Sequence, residues 1–518
     1  MATNNLQRDQ LHKTIWEIAN SLRGAIDGWE FKSYVLGTIF YRFVSENMQQ
    51  YIKHLQEQAG VPNFDYSKME DRTAEVIREQ MVTEKGYFIL PSQLFCNVCA
   101  NCEHDDNLNI TLQKIFRSIE ASAQGTESEE DVKGLFSDFA VDNTQLGSSV
   151  AARNRLLAKV LLAVKNMDLK SSSFEDNSID TFGDAYEFLM QMYASEAGKS
   201  GGEFFTPQEV SELLAMIVSF NNNVKNVYDP ACGSGSLLLK IAKINGKKEN
   251  DLKYFGQEIN PTTYNLCRIN MFLHNINFSD FDIKLGDTLH YPQHLTFKDK
   301  FDAIVSNPPY SLKWDGKDNP ILINDDRYNP AGILAPKSAA DLAFTMHMLY
   351  HLSETGTCAI VEFPGVLYRG GAEQKIREHL VKNNFVDAVI NLPTNLFFGV
   401  GIQTCIIVLK KNKKDSDILF INAENEFKKV GNKNKLMPKH QKKIFEAYTK
   451  RENEPYFCKL AKRATVEGKD FNLSVSSYVE QEDKREVINI EEVNVNLEDI
   501  VKKGQALRQA VNQIIAEL

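Results

Sequence analysis

Residues Asn307, Pro308, Pro309 and Tyr310 combine the groups needed to hold an aromatic amine while it acts as a nucleophile. The Asn307 side-chain oxygen and the Pro308 carbonyl can each accept a hydrogen bond from the same NH₂ group. The two prolines stiffen the turn, and Tyr310 offers a flat face on which a planar ring can stack. Two acceptors on the amine draw its nitrogen toward tetrahedral geometry and free its lone pair for attack. The four residues are therefore candidate catalytic residues, although an ordinary Pro-Pro turn after a strand has the same pattern.

A second turn, in residues 227–236, reads as an apolar strand, a glycine turn and the start of an apolar helix. A G-x-G turn at such a junction lets a ligand approach the backbone closely. The third glycine of the dinucleotide fingerprint is missing, and Asp229 would repel a pyrophosphate. An acid at this position suits a ligand with an ammonium group, such as the methionine end of S-adenosylmethionine. The candidate cofactor-binding residues here are Asp229, Ala231, Gly233, Ser234, Gly235 and Ser236.

Two further acids and an aromatic turn complete the candidate site. Residues 254–258 predict a second strand that ends in Glu258, which would accept hydrogen bonds from two ribose hydroxyls, as acids do in doubly wound folds. Asp287 follows a third short strand and would accept from an adenine amine. Upstream, residues 201–207 predict a helix entry with Thr206 as cap and Pro207 at the first helical position. We expect this turn also to close the cofactor pocket, with the residues Glu203, Phe204, Phe205, Thr206 and Pro207.

The motifs F-F-T-P, D-P-A-C-G-S-G, Q-E, G-D and N-P-P-Y, in this order, resemble those of amino-group DNA methyltransferases that make N6-methyladenine. More narrowly, the chain resembles the modification subunit of type I restriction–modification systems. The stretches at residues 29–37, 338–344, 363–371 and 392–399 support this likeness, which runs from about residue 8 to the C-terminal region.

The resemblance implies an adenine-specific DNA methyltransferase that uses S-adenosyl-L-methionine. The enzyme would flip the adenine out of the duplex, stack it on Tyr310 and hold its amine with Asn307 and Pro308. Phe204 or Phe205 would contribute a cation–π contact to the sulfonium. The implied partners are double-stranded DNA, a specificity subunit and a restriction subunit, with two copies of this chain per specificity subunit. The resemblance implies no metal ion.

Three other functions fit parts of the pattern. N-P-P-Y also occurs in methyltransferases that act on guanine amines in RNA or on glutamine amides in proteins. The long helical N-terminal region and the C-terminal helix favour the restriction–modification subunit. A nucleotide-binding oxidoreductase would need a third glycine and would retain NAD, and a non-enzymatic scaffold would not need an intact catalytic tetrad.

Composition limits the class of protein. The 518 residues are enough for two or three domains, and 43% hydrophobic content is ordinary for a globular protein. We find no apolar run long enough to span a bilayer and no signal-peptide pattern, and we expect a cytoplasmic protein. The net charge of −10 argues that this chain does not grip DNA alone. Only about one hundred residues follow the predicted sheet, which favours a separate specificity subunit over a built-in recognition domain.

Periodicity predicts three parts. Residues 1–167 form a helical N-terminal domain, because apolar residues recur there at three- and four-residue spacing. Residues 168–475 form the methyltransferase catalytic domain, and its doubly wound α/β sheet occupies residues 200 to about 425, because short apolar strands alternate there with helical stretches. Residues 476–518 form a helical tail for subunit docking. Within the sheet domain, residues 311–337 are polar and lack apolar periodicity, which predicts a mobile functional loop.

Three features leave alternatives open. Cys96, Cys99, Cys102 and His104 have metal-ligand spacing, but residues 93–99 also predict a helix with its cysteines on one buried face. A basic stretch at residues 428–443 predicts either a solvated face or phosphate contacts. The tail carries apolar residues at the spacing of a narrow helix seam, which would pack on the catalytic domain or on another subunit. The seam consists of Leu497, Ile500, Gly504, Leu507, Val511, Ile514 and Leu518.

Overall fold

The computed structural model describes residues 13–15, 30–167, 169, 181–196, 206–245, 251–298, 300–397, 401–481 and 490–517. The chain divides into two compact units, Met1–Val479 and Glu480–Leu518. Among the described residues, no helix is long and apolar enough to cross a membrane.

The N-terminal part is helical, as predicted, and its described residues contain no strand. Residues 34–45 of its longest helix are all buried, so this stretch is enclosed on every side, as in a helix at the centre of a core. The helices are α1 (Glu30–Gln58), α2 (Asp71–Ala74), α3 (Arg78–Lys85), α4 (Phe95–Asn101), α5 (Leu108–Ser122), α6 (Glu129–Val132) and α7 (Val150–Lys165).

A nine-stranded sheet forms the centre of the larger unit. Its strand order is β11-β8-β6-β7-β5-β4-β1-β2-β3, and a separate two-stranded ribbon pairs β9 with β10. The strands are β1 (Asn226–Asp229), β2 (Lys253–Glu258), β3 (Phe281–Leu285), β4 (Phe301–Ser306), β5 (Leu352–Glu362), β6 (Val386–Asn391), β7 (Cys405–Lys410), β8 (Ile418–Asn422), β9 (Lys428–Val430), β10 (Lys433–Lys435) and β11 (Cys458–Ala461).

The directions of the strands define the side of the sheet on which the candidate site lies. The pairs β1–β2, β2–β3, β1–β4, β4–β5 and β6–β8 are parallel, whereas β7 is antiparallel to both β5 and β6, and β11 to β8. Strands β1 to β6 and β8 therefore all end on one side of the sheet, which we call the carboxyl side. The prediction of a methyltransferase-type α/β sheet is confirmed, with the addition that the sheet is mixed.

Helices cover both faces of this sheet. Along β7 the side chains of Ile406 and Val408 belong to one hydrophobic cluster and those of Ile407 and Leu409 to the other, as the period of a strand requires. The helices are α8 (Thr181–Glu196), α9 (Gln208–Ser219), α10 (Ser236–Asn245), α11 (Pro261–Leu273), α12 (Pro320–Ile323), α13 (Asp341–His351), α14 (Ala372–Lys382), α15 (Pro438–Lys450) and α16 (Arg463–Glu467).

The N-terminal helices share their core with one face of the sheet domain. The rings of Phe40 on α1 and Phe272 on α11 lie 6.4 Å apart. The buried Arg268 of α11 donates to the carbonyl of Glu130 at 2.7 Å and to that of Lys133 at 3.0 Å. The helical part is thus packed directly against a helix that follows the second strand of the sheet.

The segment 311–337 is more structured than its composition predicts. It contains α12 and two 3₁₀ turns, and its side chains Trp314, Leu322 and Tyr328 are buried in the second cluster. Arg327 is 1% exposed and donates to the carbonyls of Thr288 and Leu289, both at 2.8 Å. The segment is therefore not a plain polar loop, because aromatic residues and one buried arginine tie it to the sheet, and its mobility and function stay predictions.

The second unit contains the helix α17 (Ile490–Glu517). The predicted C-terminal helix is therefore present. Residues 482–489, which precede it, and Leu518, the last member of the predicted seam, lie outside the described residues. Among the described residues of this unit, no second helix or strand is available for the apolar side chains of α17 to pack against.

Candidate active site

The catalytic turn begins where β4 ends on the carboxyl side. The Asn307 amide nitrogen donates to Thr206 Oγ1 at 3.1 Å, and the Tyr310 hydroxyl donates to Asn307 Oδ1 at 2.7 Å. Burial raises the pKa of Tyr310 well above its usual value, so the hydroxyl remains a donor. Pro308 is buried, whereas Pro309 is half-buried. The sequence predicted that Asn307 and Tyr310 belong to one site, but it did not predict the hydrogen bond between their side chains.

The exit of this turn is held by an acid that sequence reasoning did not single out. The backbone N–H of Ser311 donates to both carboxylate oxygens of Asp341, at 3.0 and 3.2 Å. Ser311 has a φ of 52°, and Asp341 is 2% exposed at the first position of α13. Asp341 therefore fixes the direction in which the chain leaves Tyr310. The only sequence signal was its position in the Ser-Ala-Ala-Asp stretch.

The glycine turn lies between β1 and α10. Gly233 and Gly235 have φ values of 54° and 78°, in the left-handed region that favours glycine. A Cβ on Gly235 would lie 2.8 Å from Cys267 Sγ and 3.0 Å from Met271 Cε, both on α11. The turn is thus shaped by backbone conformation and by close packing on the neighbouring helix.

A small pocket opens beside this turn and unites much of the predicted site. It brings the glycine turn next to Asn307 and Thr206. The lining residues are Thr206, Ala231, Cys232, Gly233, Ser234, Ser236, Leu237 and Asn307.

Asp229 ends β1 and is fully buried. Its Oδ1 accepts from the Ala231 N–H at 3.0 Å and from the Ser306 hydroxyl at 2.8 Å. Its Oδ2 is buried and has no hydrogen-bond partner among the described residues. Burial raises the pKa of Asp229 to about 7, because nearby donors do not compensate for lost solvation and for the repulsion from Glu258. Ser306, the residue before the catalytic turn, thus links the two turns.

Glu258 joins two turns at the end of β2. Its Oε2 accepts from the Gly233 N–H at 3.0 Å, and its Oε1 accepts from the Asn260 N–H at 2.9 Å. Burial raises its pKa, although these backbone donors act in the opposite direction. Each carboxylate oxygen retains acceptor capacity for a further donor. Glu258 therefore holds the glycine turn in addition to any ligand.

Asp287 lies two residues after β3. Its Oδ1 accepts from the Leu289 N–H at 2.9 Å, and its Oδ2 lies 2.7 Å from His290 Nδ1. On the other side of the ring, His290 Nε2 lies 3.3 Å from Asp315 Oδ2. His290 thus contacts the predicted adenine acceptor through Nδ1, whereas its buried Nε2 lies near Asp315 without a hydrogen bond among the described residues. Sequence reasoning missed this histidine, three residues after Asp287.

The entry turn is described only in part, because Glu203, Phe204 and Phe205 lie outside the described residues. The prediction that Thr206 caps the helix is wrong. Helix α9 begins at Gln208 with Pro207 as its N-cap residue and has no side-chain cap. The Thr206 hydroxyl instead accepts from Asn307, which connects the entry turn directly to the catalytic turn.

The cysteine-rich helix α4 does not have the arrangement expected from its spacing. Cys99 and Cys102 are buried, but Cys96 is exposed, so the three do not share a buried face. Cys102 Sγ donates to the Cys99 carbonyl at 3.5 Å. In the part of the chain that the structure describes, no group of three or more His, Cys, Asp or Glu side chains could hold a metal ion.

The mixed sheet and the glycine turn beside an N-P-P-Y turn define an α/β methyltransferase architecture. Family models for the N-6 DNA methylase and for the HsdM N-terminal domain match residues 177–487 and 11–164. The type I restriction enzyme MpnII methylase subunit of Mycoplasma pneumoniae is 47% identical over 99% of this chain and 97% of its own length.

Solved structures agree with these matches. The type I restriction–modification methyltransferase subunit from Streptococcus thermophilus is 33% identical, with a TM-score of 0.82 over 91% of this chain and all of that one. A structure described as the basis of complex assembly and conformational transition of the type I system shares the fold, with a TM-score of 0.64 at 19% identity over 98% of this chain and 99% of that one. The chain belongs to the N-6 DNA methylase family, among the methylase subunits of type I restriction enzymes.

Proposed function

We propose that this protein transfers a methyl group from S-adenosyl-L-methionine to the N6 amine of adenine in double-stranded DNA. The observation that carries this proposal is the pocket in which Asn307 meets the glycine turn. There an amine acceptor and a backbone-lined cofactor turn lie side by side on the carboxyl side of the sheet, where α/β sheets bind their ligands.

The described residues fit the cofactor. The buried Oδ2 of Asp229 lacks a partner among them and suits an ammonium group. Asp229 would hold the methionine end, Glu258 the ribose hydroxyls and Asp287 the adenine amine. Ala231, Gly233, Ser234, Gly235 and Ser236 would supply backbone and hydroxyl contacts, and the entry turn from Glu203 to Pro207 would close the pocket. When bound, S-adenosyl-L-methionine supplies the methyl group on a cationic sulfur.

The catalytic turn would act by positioning. Adenine must leave the base stack before its amine can be reached. Tyr310 would stack on the flipped ring, while Asn307 Oδ1 and the Pro308 carbonyl would accept from the amine. In the structure Asn307 Oδ1 already accepts from the Tyr310 hydroxyl, so the amine must share or displace that bond. Orientation supplies much of the acceleration, and no strong base is needed, because the methylated ammonium loses its proton readily.

The test separates chemistry from cofactor binding. Asn307→Ala should lower methyl transfer at least about 100-fold, the scale of losing one catalytic hydrogen-bonding group, while calorimetry shows nearly unchanged S-adenosylmethionine affinity. Asn324→Ala is a matched control, since that exposed asparagine ends the helix α12 in the same post-catalytic segment. Full activity of Asn307→Ala in a tritium-transfer assay would refute the mechanism.

We also propose that sequence specificity comes from a separate subunit and that a restriction subunit can join the complex. Two copies of this chain would clamp DNA around one specificity subunit, in the cytoplasm, where the cell's DNA lies. The net charge of −10 supports this, since a chain that bound DNA alone would have a basic surface. The 47% identical relative is itself named as one subunit of a restriction enzyme, which is consistent with a protein that works in a complex.

The seam on α17 is the proposed docking element within residues 476–518, as an amphipathic helix docks in a groove. Deleting residues 495–518 should prevent co-purification with the specificity subunit while cofactor binding persists. Leu507→Asp with Ile514→Asp should have the same effect, whereas Gln505→Asp with Asn512→Asp, off the seam, should not. Assembly of the Leu507→Asp, Ile514→Asp variant would show that the seam does not dock. We further propose that residues 1–167 and 168–475 act as the helical and catalytic domains.

A further inference from the structure

The ribbon formed by β9 and β10 is a charged surface that the catalytic site does not use. We call residues 428–435 the basic hairpin. Its strands are joined by a two-residue turn, Gly431–Asn432, in which Gly431 has a φ of 59°. Such a turn with glycine first matches the twist of the flanking strands. The ribbon is therefore a defined element that can present its side chains at fixed positions.

The hairpin stands on the same side of the sheet as the catalytic turn. It follows β8, which ends on the carboxyl side. It is also fixed to residues 394–397, which leave the sheet after β6 on that side. The Asn434 N–H donates to the Asn395 carbonyl at 3.1 Å, and its side-chain amide donates to the Thr394 carbonyl at 2.8 Å. Lys433 Nζ donates to the Phe397 carbonyl at 2.7 Å.

A second connection leads from the hairpin to the pocket. Helix α15 follows the hairpin, and its Gln441 donates to the Glu209 carbonyl at 2.8 Å and to Glu212 Oε2 at 2.9 Å, both on α9. Burial raises the pKa of Glu209, and the positive charge of Lys435 opposes that rise, so the two groups are close enough to interact. Glu209 lies three residues after Thr206, whose hydroxyl binds Asn307. The hairpin and α15 are thus connected to α9, the helix that directly follows the Thr206 contact with the catalytic turn.

The lysine charges on the basic hairpin lower its stability, because two of them face one another across its strands. Lys428 and Lys435 are directly opposite one another in the antiparallel register, and like charges in that position are destabilising. Both are exposed, as is Lys429. In the described parts of the chain, no ion pair within 4.0 Å involves any of these three lysines. Residues 428–443 contain seven lysines and no Asp or Glu, in a chain of net charge −10.

We propose that the basic hairpin contacts the phosphate backbone of the DNA duplex beside the target adenine, through Lys428, Lys429 and Lys435. This inference rests on the proposed function, because it concerns the same substrate at the same site. An array of exposed lysines that form no ion pair among the described residues suits a polyanion with regular charges, and neutralising its phosphates releases counterions. The contact would position the duplex and carry no sequence information.

The test uses the chain in complex with its specificity subunit and a duplex containing the target site. The variant Lys428→Gln, Lys429→Gln, Lys435→Gln should make the slope of log affinity against log salt less steep by about 2 to 3, close to one unit per lost contact. The Lys→Arg triple should restore the slope. Cofactor affinity should not change, because none of the three lysines lines the pocket.

A matched control removes the same charge from the opposite side of the sheet. Lys225 precedes β1, Lys298 precedes β4 and Lys414 follows the antiparallel β7, so all three lie away from the carboxyl side, and all are exposed. Lys225→Gln, Lys298→Gln, Lys414→Gln should leave the salt slope near that of the native complex. An equal change in both triples would mean that only net charge matters, and would overturn the proposal.

Two other results would also overturn it. An unchanged slope in the hairpin triple would make the hairpin a solvated face. Loss of the specificity subunit from the hairpin triple during co-purification would assign the lysines to an acidic protein surface. Failure of the proposed function looks different, because the native complex would then bind DNA through the hairpin and yet produce no N6-methyladenine.

Discussion

Asp229→Asn should change the pH dependence of stability in a way that no surface substitution can. The pKa of Asp229 is raised from 3.8 to about 7, chiefly by burial. Because the folded-state value lies above the unfolded one, the native protein binds this proton more tightly than the unfolded chain. The stability that results is fully present below the unfolded pKa and is lost as pH rises to about 7.

The magnitude follows from that difference. Each pH unit between the two pKa values changes the free energy of unfolding by about 1.4 kcal/mol, so the native protein loses about 2–3 kcal/mol from this group between pH 5 and pH 8. Asparagine does not titrate and avoids that loss. The asparagine also places an NH₂ group in a buried position, and an unpaired NH₂ group there costs about 1–3 kcal/mol of stability. This cost does not depend on pH. The stability of the variant relative to the native protein should therefore rise by about 2–3 kcal/mol across this range.

Urea-induced unfolding without cofactor, measured at pH 5 and pH 8, tests this reasoning. Asp387→Asn is the matched control. Burial raises the pKa of Asp387, but the positive charges of Lys410, Arg451 and Lys413 outweigh burial and hold it below the usual value. That variant should be destabilised by about 3–5 kcal/mol at pH 5, and part of this loss should be relieved at pH 8, because Lys413, with a pKa lowered to about 8, can then lose its proton. A pH-independent effect of Asp229→Asn would refute the assignment of a buried carboxyl with a raised pKa.

Substitutions at three further positions follow from the site geometry, and one follows from the C-terminal helix. Tyr310→Phe removes the hydroxyl that competes for Asn307 Oδ1, so this variant should retain or raise methyl transfer. Tyr310→Ala should lower methyl transfer about 5- to 150-fold, because it loses ring stacking worth about 1–3 kcal/mol. An equal loss of activity in both variants would assign the role of Tyr310 to its hydroxyl. Glu258→Gln should weaken S-adenosylmethionine binding in calorimetry by about 1.5–3 kcal/mol, and unchanged affinity would mean that the ribose site lies elsewhere. Gly235→Ala should destabilise the larger unit in thermal unfolding, since it needs a φ of 78° and its Cβ would meet Cys267. Gly504→Ala, within α17 and with nothing within 4 Å, should raise helix stability by about 0.5–1 kcal/mol.

The strands that build the site were predictable because they are apolar runs bounded by turn residues. The strand predicted at residues 254–258 is β2, observed at Lys253–Glu258, and the strand predicted at the start of residues 227–236 is β1, observed at Asn226–Asp229. The order of the strands within the sheet could not be predicted from the sequence. The antiparallel β7 lies between β5 and β6, and this depends on long-range pairing that no local pattern encodes. The edge strand β11 was not predicted, and neither was β8, although Ile418–Asn422 is an apolar run that follows turn residues.

Other differences have local causes. The basic hairpin was missed because lysine and asparagine are poor strand formers, although Gly431–Asn432 between two short stretches was a hairpin signal. Thr206 looked like a helix cap, but its hydroxyl is engaged by Asn307 from a turn about 100 residues away. The short helix and turns within residues 311–337 were not predicted, because the few aromatic residues there do not follow a period. In each case a tertiary contact decided the conformation, which a single sequence does not display.

The central claim is that this chain methylates the N6 amine of adenine at a defined DNA sequence. Long-read methylation mapping of the host genome, with and without the gene, tests it most directly. The account predicts N6-methyladenine at one recurring sequence in the native strain, its complete loss on deletion, and its return with the native gene but not with Asn307→Ala. Unchanged N6-methyladenine after deletion, or restoration by Asn307→Ala, would contradict it.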